Sequence, residues 1–288
     1  MATTQRRAHS MWPSERFDGR VVLLSSLLLI LGCKDNPGGT GDDFAQIDFR
    51  PGTYDIYEWT FSQSDSSGQM IVLARDTFAV TCAATGEQID TLTNLMRFKA
   101  YQIRAPLDTM SVWYRSDAAQ FTEVAYAAAG YTPPVVPVRR RTVGRIASGI
   151  VGPSVLEMPY LVRLRLGIQP ENGDSVIVRD DPRIVYKLPL TVGSSWTSFQ
   201  SPFLETREVT GFQSASVRGG DYDCAVISTK LPTMDPSLEW DDFVSHGGVV
   251  LREIRLRIIA STEENPEVPV DTLQGVERME LISRWTDH

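Results

Sequence analysis

His246 stands four residues from Asp242 and five from Asp241, and a serine–histidine–aspartate hydrolase built on this chain would have to use it. The other histidines are His9 and the terminal His288. Such an enzyme exposes its nucleophile on a strained Gly-x-Ser-x-Gly elbow, and the sequence contains none. His246 therefore reads as a loop residue ahead of a Gly247-Gly248 turn. A glycosidase needs two acids held about 5 to 9.5 Å apart across a cleft. Glu239, Asp241, Asp242, Asp180 and Asp181 supply the acids, but only by number, since carboxylates collect at turns in any acidic chain. No C-x-x-C or H-E-x-x-H spacing offers a metal site. No P-loop and no G-x-G-x-x-G after a strand offers a cofactor site, so neither metal nor cofactor is implied. Cys82 and Cys224 remain. A disulfide between them would close a loop of 142 residues and stabilise by about 5 kcal/mol on the loop-entropy model. The alternative is two separate buried thiols.

The elements that must carry these residues repeat with period two. Val162, Leu164, Leu166 and Ile168 share one face of Leu161–Ile168, against Arg163 and Arg165. Ile254, Leu256 and Ile258 oppose Glu253, Arg255 and Arg257, while Met279, Leu281 and Trp285 oppose Arg278, Glu280 and Arg284. Tyr54–Phe61 and Met70–Cys82 read the same way. Such alternation marks antiparallel strands with one buried face. Asn172-Gly173 and Gly219-Gly220 are hairpin signals, because these residues tolerate positive φ. Ser66-Ser67-Gly68, Thr85-Gly86 and Asn265-Pro266 punctuate the remaining strands. Asp117–Ala129 stands apart: Phe121, Val124, Ala125 and Ala128 fall at helical spacing, with Gly130 as a stop. Asp90–Tyr101 fits helix or strand. The expectation is an all-β antiparallel meander, folded as a sandwich or an open half-barrel, with one or two short helices. Trp113-Tyr114 and Trp240 read as core. Residues 44–288 form one β-rich domain, and the Pro-rich stretch Tyr131–Val138 raises the idea of two related halves meeting near 131–150. Each half would open with a Trp-Thr strand, at Trp59-Thr60 and Trp196-Thr197.

The N-terminus places the domain. Arg6, Arg7, Arg16 and Arg20 precede eleven mostly apolar residues, Val21–Leu31, and then Gly32-Cys33. That is the layout of a secretory signal over residues 1–32. Eleven residues are too few to span a bilayer, which needs about 20. Ile30-Leu31-Gly32-Cys33 resembles the lipobox of bacterial lipoproteins, although Leu31 is bulkier than the residue usual there. The resemblance implies cleavage after Gly32, acylation of Cys33 and a lipid anchor in the bacterial cell envelope, at the outer membrane. Two or more acyl chains hold a protein at a membrane stably, where one does not. Lys34–Asp43 then reads as a Gly-rich tether reaching roughly 18 Å on average.

Without the leader's four arginines and two acids, the chain carries 24 Lys and Arg against 34 Asp and Glu, a net charge of −10. Phosphate backbones repel such a surface, so nucleic acid is excluded as a partner. Arg139-Arg140-Arg141 and Arg145 follow three prolines and read as a solvated loop.

Leu188-Pro-Leu-Thr-Val-Gly-Ser-Ser-Trp196, Gly219-Gly-Asp-Tyr-Asp-Cys-Ala-Val226 and His246-Gly-Gly-Val-Val-Leu-Arg-Glu253 resemble successive strands of uncharacterised bacterial lipoproteins. The likeness covers roughly residues 184 to 285. It implies a β meander and lends no catalytic residues. Two classes of function follow: a non-catalytic envelope module that binds a partner protein or supports structure, or a carrier of acyl chains or another hydrophobic ligand in an open half-barrel. An envelope hydrolase is the third and weakest.

Overall fold

Side chains that alternate between a dry and a wet face give thirteen strands among the described residues. They are β1 (Thr53–Ser64), β2 (Met70–Ile89), β3 (Leu92–Gln102), β4 (Ala105–Ser116), β5 (Gln120–Ala128), β6 (Val143–Ile146) and β7 (Ile177–Lys187). There follow β8 (Ser195–Phe199), β9 (Glu205–Val217), β10 (Gly220–Leu231), β11 (Leu238–Ser245), β12 (Gly248–Ser261) and β13 (Pro269–Thr286). The structure, a computed structural model, describes residues 44–128 (except 45, 66 and 104), 143–146, 176–261 (except 201–203 and 234–237) and 269–286. The leader, Cys33 with its tether, Arg139–Arg141, the strand expected at Leu161–Ile168, and the Asn172-Gly173 and Asn265-Pro266 turns lie outside these residues. So does the 131–150 junction, apart from β6.

Every pairing is antiparallel. Twelve strands follow one path, β7-β5-β4-β3-β2-β1-β13-β12-β11-β10-β9-β8, with β6 paired to β12 beside it. The two ends of the path meet. Trp196 Nε1 and Ser198 Oγ donate to the Ile184 carbonyl on β7 at 3.1 and 2.7 Å, and Arg207 Nη1 donates to the Val185 carbonyl at 2.9 Å. The sheet is thus a nearly closed barrel whose last seam is sewn by side chains instead of a backbone ladder. Pro182 fits a strand at the end of the path, since it has no N–H to offer a further neighbour.

The all-β antiparallel expectation holds, and the half-barrel closes further than an open one. No helix occurs among the described residues. Residues 120–128, expected to be helical, are β5, and the ambiguous 90–101 segment is largely β3. β5 misled because it is buried on both faces: Phe121 points into the barrel core, while Val124 and Ala125 pack outside with Leu95 and Trp113. A strand dry on both sides loses its alternation. Thr85-Gly86 is not a turn. Gly86, at φ 75°, sits in an irregular stretch of β2 where the register slips between Ala84 and Glu87, and the chain reverses at Asp90-Thr91. Arg145 lies on β6, not on a loop.

Phase slips also explain Trp285. Ile56 pairs with Ser283 but Tyr57 with Leu281, leaving Ile282 as an extra residue in β13. An extra residue reverses which face each following side chain takes. Met279 and Leu281 remain in the core, but Arg284 turns inward and Trp285 outward, the opposite of the uninterrupted alternation.

The familiar-looking segment at Leu188–Trp196 links the two ends of the path. Leu190 is buried, Ser194 N–H bonds the Thr191 carbonyl, and Gly193 takes φ 82°, a turn that favours glycine at its third position. Gly219 completes the two-residue loop Arg218-Gly219 between β9 and β10. Phe49, just before β1, plugs one mouth of the barrel. Its ring meets Phe98 and Phe121 at 5.0 Å each. A Cβ on Gly248 would stand 2.9 Å from that ring, so the Gly247-Gly248 turn is bare where Phe49 must pass.

Candidate functional site

The barrel interior combines aromatic packing with buried charge. Its core contains Trp59, Tyr57, Phe61, Tyr114, Phe121, Tyr186 and Trp240 in one continuous cluster. Between them, at positions where the inward phase of each strand places a charged residue, lie Glu123 on β5, Arg183 on β7, Glu205 and Arg207 on β9, Asp242 on β11, Arg252 on β12 and Glu277 on β13, all buried.

Ion pairs involve Glu123, Arg183, Glu205, Arg207, Asp242 and Arg252. Arg183 Nη2 donates to both carboxylate oxygens of Glu205, at 2.9 and 3.0 Å, and Arg207 Nε donates to Glu205 Oε1 at 2.9 Å. Glu123 pairs with Arg179 and, at 3.6 Å, with Arg183. The string therefore runs β5–β7–β9 across the seam that lacks a backbone ladder. Further round, Arg252 grips Asp242 with two nitrogens, and Trp59 Nε1 donates to Glu277 Oε1 at 2.9 Å. Near the Phe49 mouth, Arg284 makes a bidentate pair with Asp55 at 2.6 and 2.8 Å. The Tyr57 hydroxyl beside it donates to the Val249 carbonyl at 2.7 Å.

Burial alone would raise the Glu205 pKa, but the Arg183 and Arg207 charges outweigh it and hold the carboxyl at about 2. A base that weak takes no proton near neutrality. Burial pushes the Tyr186 hydroxyl well up, with Asp242 adding to the effect. Among the described residues no three His, Cys, Asp or Glu side chains are grouped to hold a metal ion.

The residues singled out for hydrolysis are dispersed. Asp242 is committed to Arg252 inside the barrel, while Asp241 and Glu239 face away from it on the same strand. His246 sits exposed at the β11–β12 turn, stacked on Phe44 at 4.3 Å with Nδ1 3.3 Å from the Gln46 carbonyl. Asp180 and Asp181 are exposed on β7. Trp113, Tyr114 and Trp240 are buried, as expected of core residues. Cys82 on β2 and Cys224 on β10 are buried free thiols. Burial pushes their pKa values up, to about 11 and about 12. Thiolate is the reactive form. Iodoacetamide at about pH 8 is therefore expected to leave both unlabelled in the native protein and to label both in denaturant. Rapid native labelling, followed by mass spectrometry, would contradict the geometry of either site.

Sequence reasoning missed the buried ion pairs. The signal was present: Glu205-x-Arg207-x-Val209 and Trp240-x-Asp242-x-Val244 each place charge on the face that carries the apolar residues.

No family model matches the chain, and no curated protein matches it. Two crystal structures do. One is a Bacteroides fragilis protein provisionally described as exported, with a YmcC-like fold (9% identity, 84% of this chain and 99% of that one, TM-score 0.35). The other is a Parabacteroides distasonis protein provisionally described as a lipoprotein (11% identity, 84% and 98%, TM-score 0.35).

Proposed function

We propose that the chain is a membrane-anchored envelope lipoprotein whose β-barrel is a non-catalytic binding or structural module. Cys33 carries the lipid, at the outer membrane, and the module's partner is another envelope protein. The observation that carries this reading is the occupied interior. A carrier needs an apolar hollow for its ligand. Here that volume holds Trp59, Trp240, Tyr186 and paired arginines, all buried. An enzyme needs a nucleophile or base in hydrogen-bond reach of an orienting group. Glu123, Glu205 and Asp242 are instead tied to arginines, and His246 is stacked on Phe44.

Cells fed labelled palmitate are expected to label the wild type and not Cys33→Ser. Equal labelling of the two, or none of either, overturns the anchor. Affinity capture from native membranes, read by mass spectrometry of proteins and lipids together, should return a specific envelope protein. Stoichiometric lipid beyond the anchor would favour the carrier instead. Ester, peptide or glycoside turnover that vanishes in His246→Ala would overturn the non-catalytic reading.

A further inference from the structure

Trp285 is 42% exposed on the outside of the barrel, an unusual place for the largest apolar side chain. It stacks on Tyr54 with ring centroids 5.6 Å apart and planes 7° from parallel. The phase slip in β13 puts it there, while its neighbour Arg284 is held inside by Asp55. Register extends the row. Trp285 on β13 is opposite Tyr54 on β1, Tyr54 is opposite Thr81 on β2, and Thr81 is opposite Lys99 on β3. One outward-facing row across four strands thus reads Trp, Tyr, Thr, Lys, of which Trp285 is exposed, Tyr54 and Lys99 are partly buried and Thr81 is buried. Tryptophan and tyrosine favour the membrane–water interface, where one part of the ring is dry and the other wet, and lysine reaches from there to phosphate.

Where the tether ends decides what this row faces. The Phe44 carbonyl accepts from Leu190 N–H, and Asp48 N–H bonds the His246 carbonyl, so the chain arrives at the mouth where β1 begins. Tyr54 and Trp285 lie one residue in from the first pair at that mouth, Thr53 opposite Thr286. Ten residues, Lys34–Asp43, separate Cys33 from Phe44. Fully extended they reach about 35 Å, and on average roughly 18 Å. A twelve-residue strand such as β1 is itself about 40 Å long. At its average reach the tether therefore holds this mouth nearer the bilayer than the opposite one.

We propose that the Tyr54–Trp285 pair, with Lys99 in the same row, is a second membrane contact that seats the anchored barrel against lipid headgroups and fixes its orientation. The inference rests on the lipid-anchor reading above. Each residue adds little by itself, but a tethered surface is already held at high local concentration, so a weak contact suffices.

The test uses full-length protein purified from membranes and placed in phosphatidylcholine vesicles that carry a spin-labelled lipid quencher near the headgroup. Flotation of wild type and Cys33→Ser reports the anchor separately: if both fail to float, the anchor reading is lost. Among vesicle-bound molecules, the spin label is expected to quench part of the tryptophan emission, and Trp285→Phe should abolish that part. Trp59, Trp113, Trp196 and Trp240 are buried and stay dark to it. Tyr54→Ser with Lys99→Glu should reduce the quenching while circular dichroism stays unchanged. Floating wild-type protein with Trp285 unquenched by lipid but quenched by aqueous iodide overturns the proposal. So does a Trp285 emission shift produced by soluble oligosaccharide and not by vesicles, which would make the pair a glycan platform.

Discussion

Glu205→Gln is expected to destabilise the barrel by about 3–5 kcal/mol, measured as the shift in a urea unfolding curve at neutral pH. The carboxylate is fully buried between two guanidinium groups that are themselves almost wholly buried. Its loss removes the counter-charge they share. A natural domain has only about 5–15 kcal/mol in total, so the variant should sit near the edge of folding. The same group sets an acid limit. Its folded pKa of about 2 lies below the ordinary 4.5. The unfolded chain thus binds the proton more readily, and this contribution is complete above about pH 4.5 and lost as the pH falls toward 2. Between neutrality and about pH 3 the wild type should lose more stability than Glu205→Gln. Equal losses would mean that the ion-pair string does not govern acid unfolding.

Trp240→Ala should cost a similar amount, about 3–5 kcal/mol, for a different reason. The indole fills the interior opposite Thr229 and Ile254, its ring lies 5.8 Å from the Arg252 guanidinium, and Nε1 is 3.4 Å from Asp242. Truncation leaves a cavity beside a buried ion pair. Trp285→Ala, on the outer face, loses chiefly its stack on Tyr54 and should cost only about 0.5–1.5 kcal/mol. Thermal and urea unfolding of the two variants side by side tests whether the barrel is packed solid on the inside. A Trp240→Ala variant as stable as Trp285→Ala would argue for a collapsible interior.

What was legible in the sequence followed the ladder. Ile254 against Arg255, and Met279 against Arg278, announced strands whose faces the structure keeps. Gly219 marked a real hairpin, and Trp240 was core. The failures share one physical origin, since alternation informs only while the register is unbroken and one face is wet. β5, dry on both sides, imitated a helix. The slip at Ile282 carried Trp285 out of the face its spacing assigned, and that slip depends on the partner strand, which no local window contains. The charges inside the barrel were hidden for a related reason. An acid in an acidic chain looks like solvated surface until an arginine more than twenty positions away, as for Glu205 and Arg183, stands opposite it.

The order of strands in the barrel carries a topological consequence. Read from β8 round to β7, the path is β8 to β13 followed by β1 to β5 and β7, so every step but two joins strands consecutive in the chain, and one of the two, β5 to β7, skips only β6. The other is β13 beside β1, where Thr286 meets Thr53 across 233 positions. The barrel is thus a simple up-and-down meander with its numbering cut in the middle. The first strand waits, half-partnered, for the last. Joining residues 286 and 53 and opening the chain in the 188–194 linker would restore a sequential meander, replace the longest-range pairing by a hairpin and lower the contact order that slows folding. In the natural chain the opposite holds: synthesis of β13 is the event that lets the sheet become one piece, and any truncation before it leaves two half-sheets with bare edges.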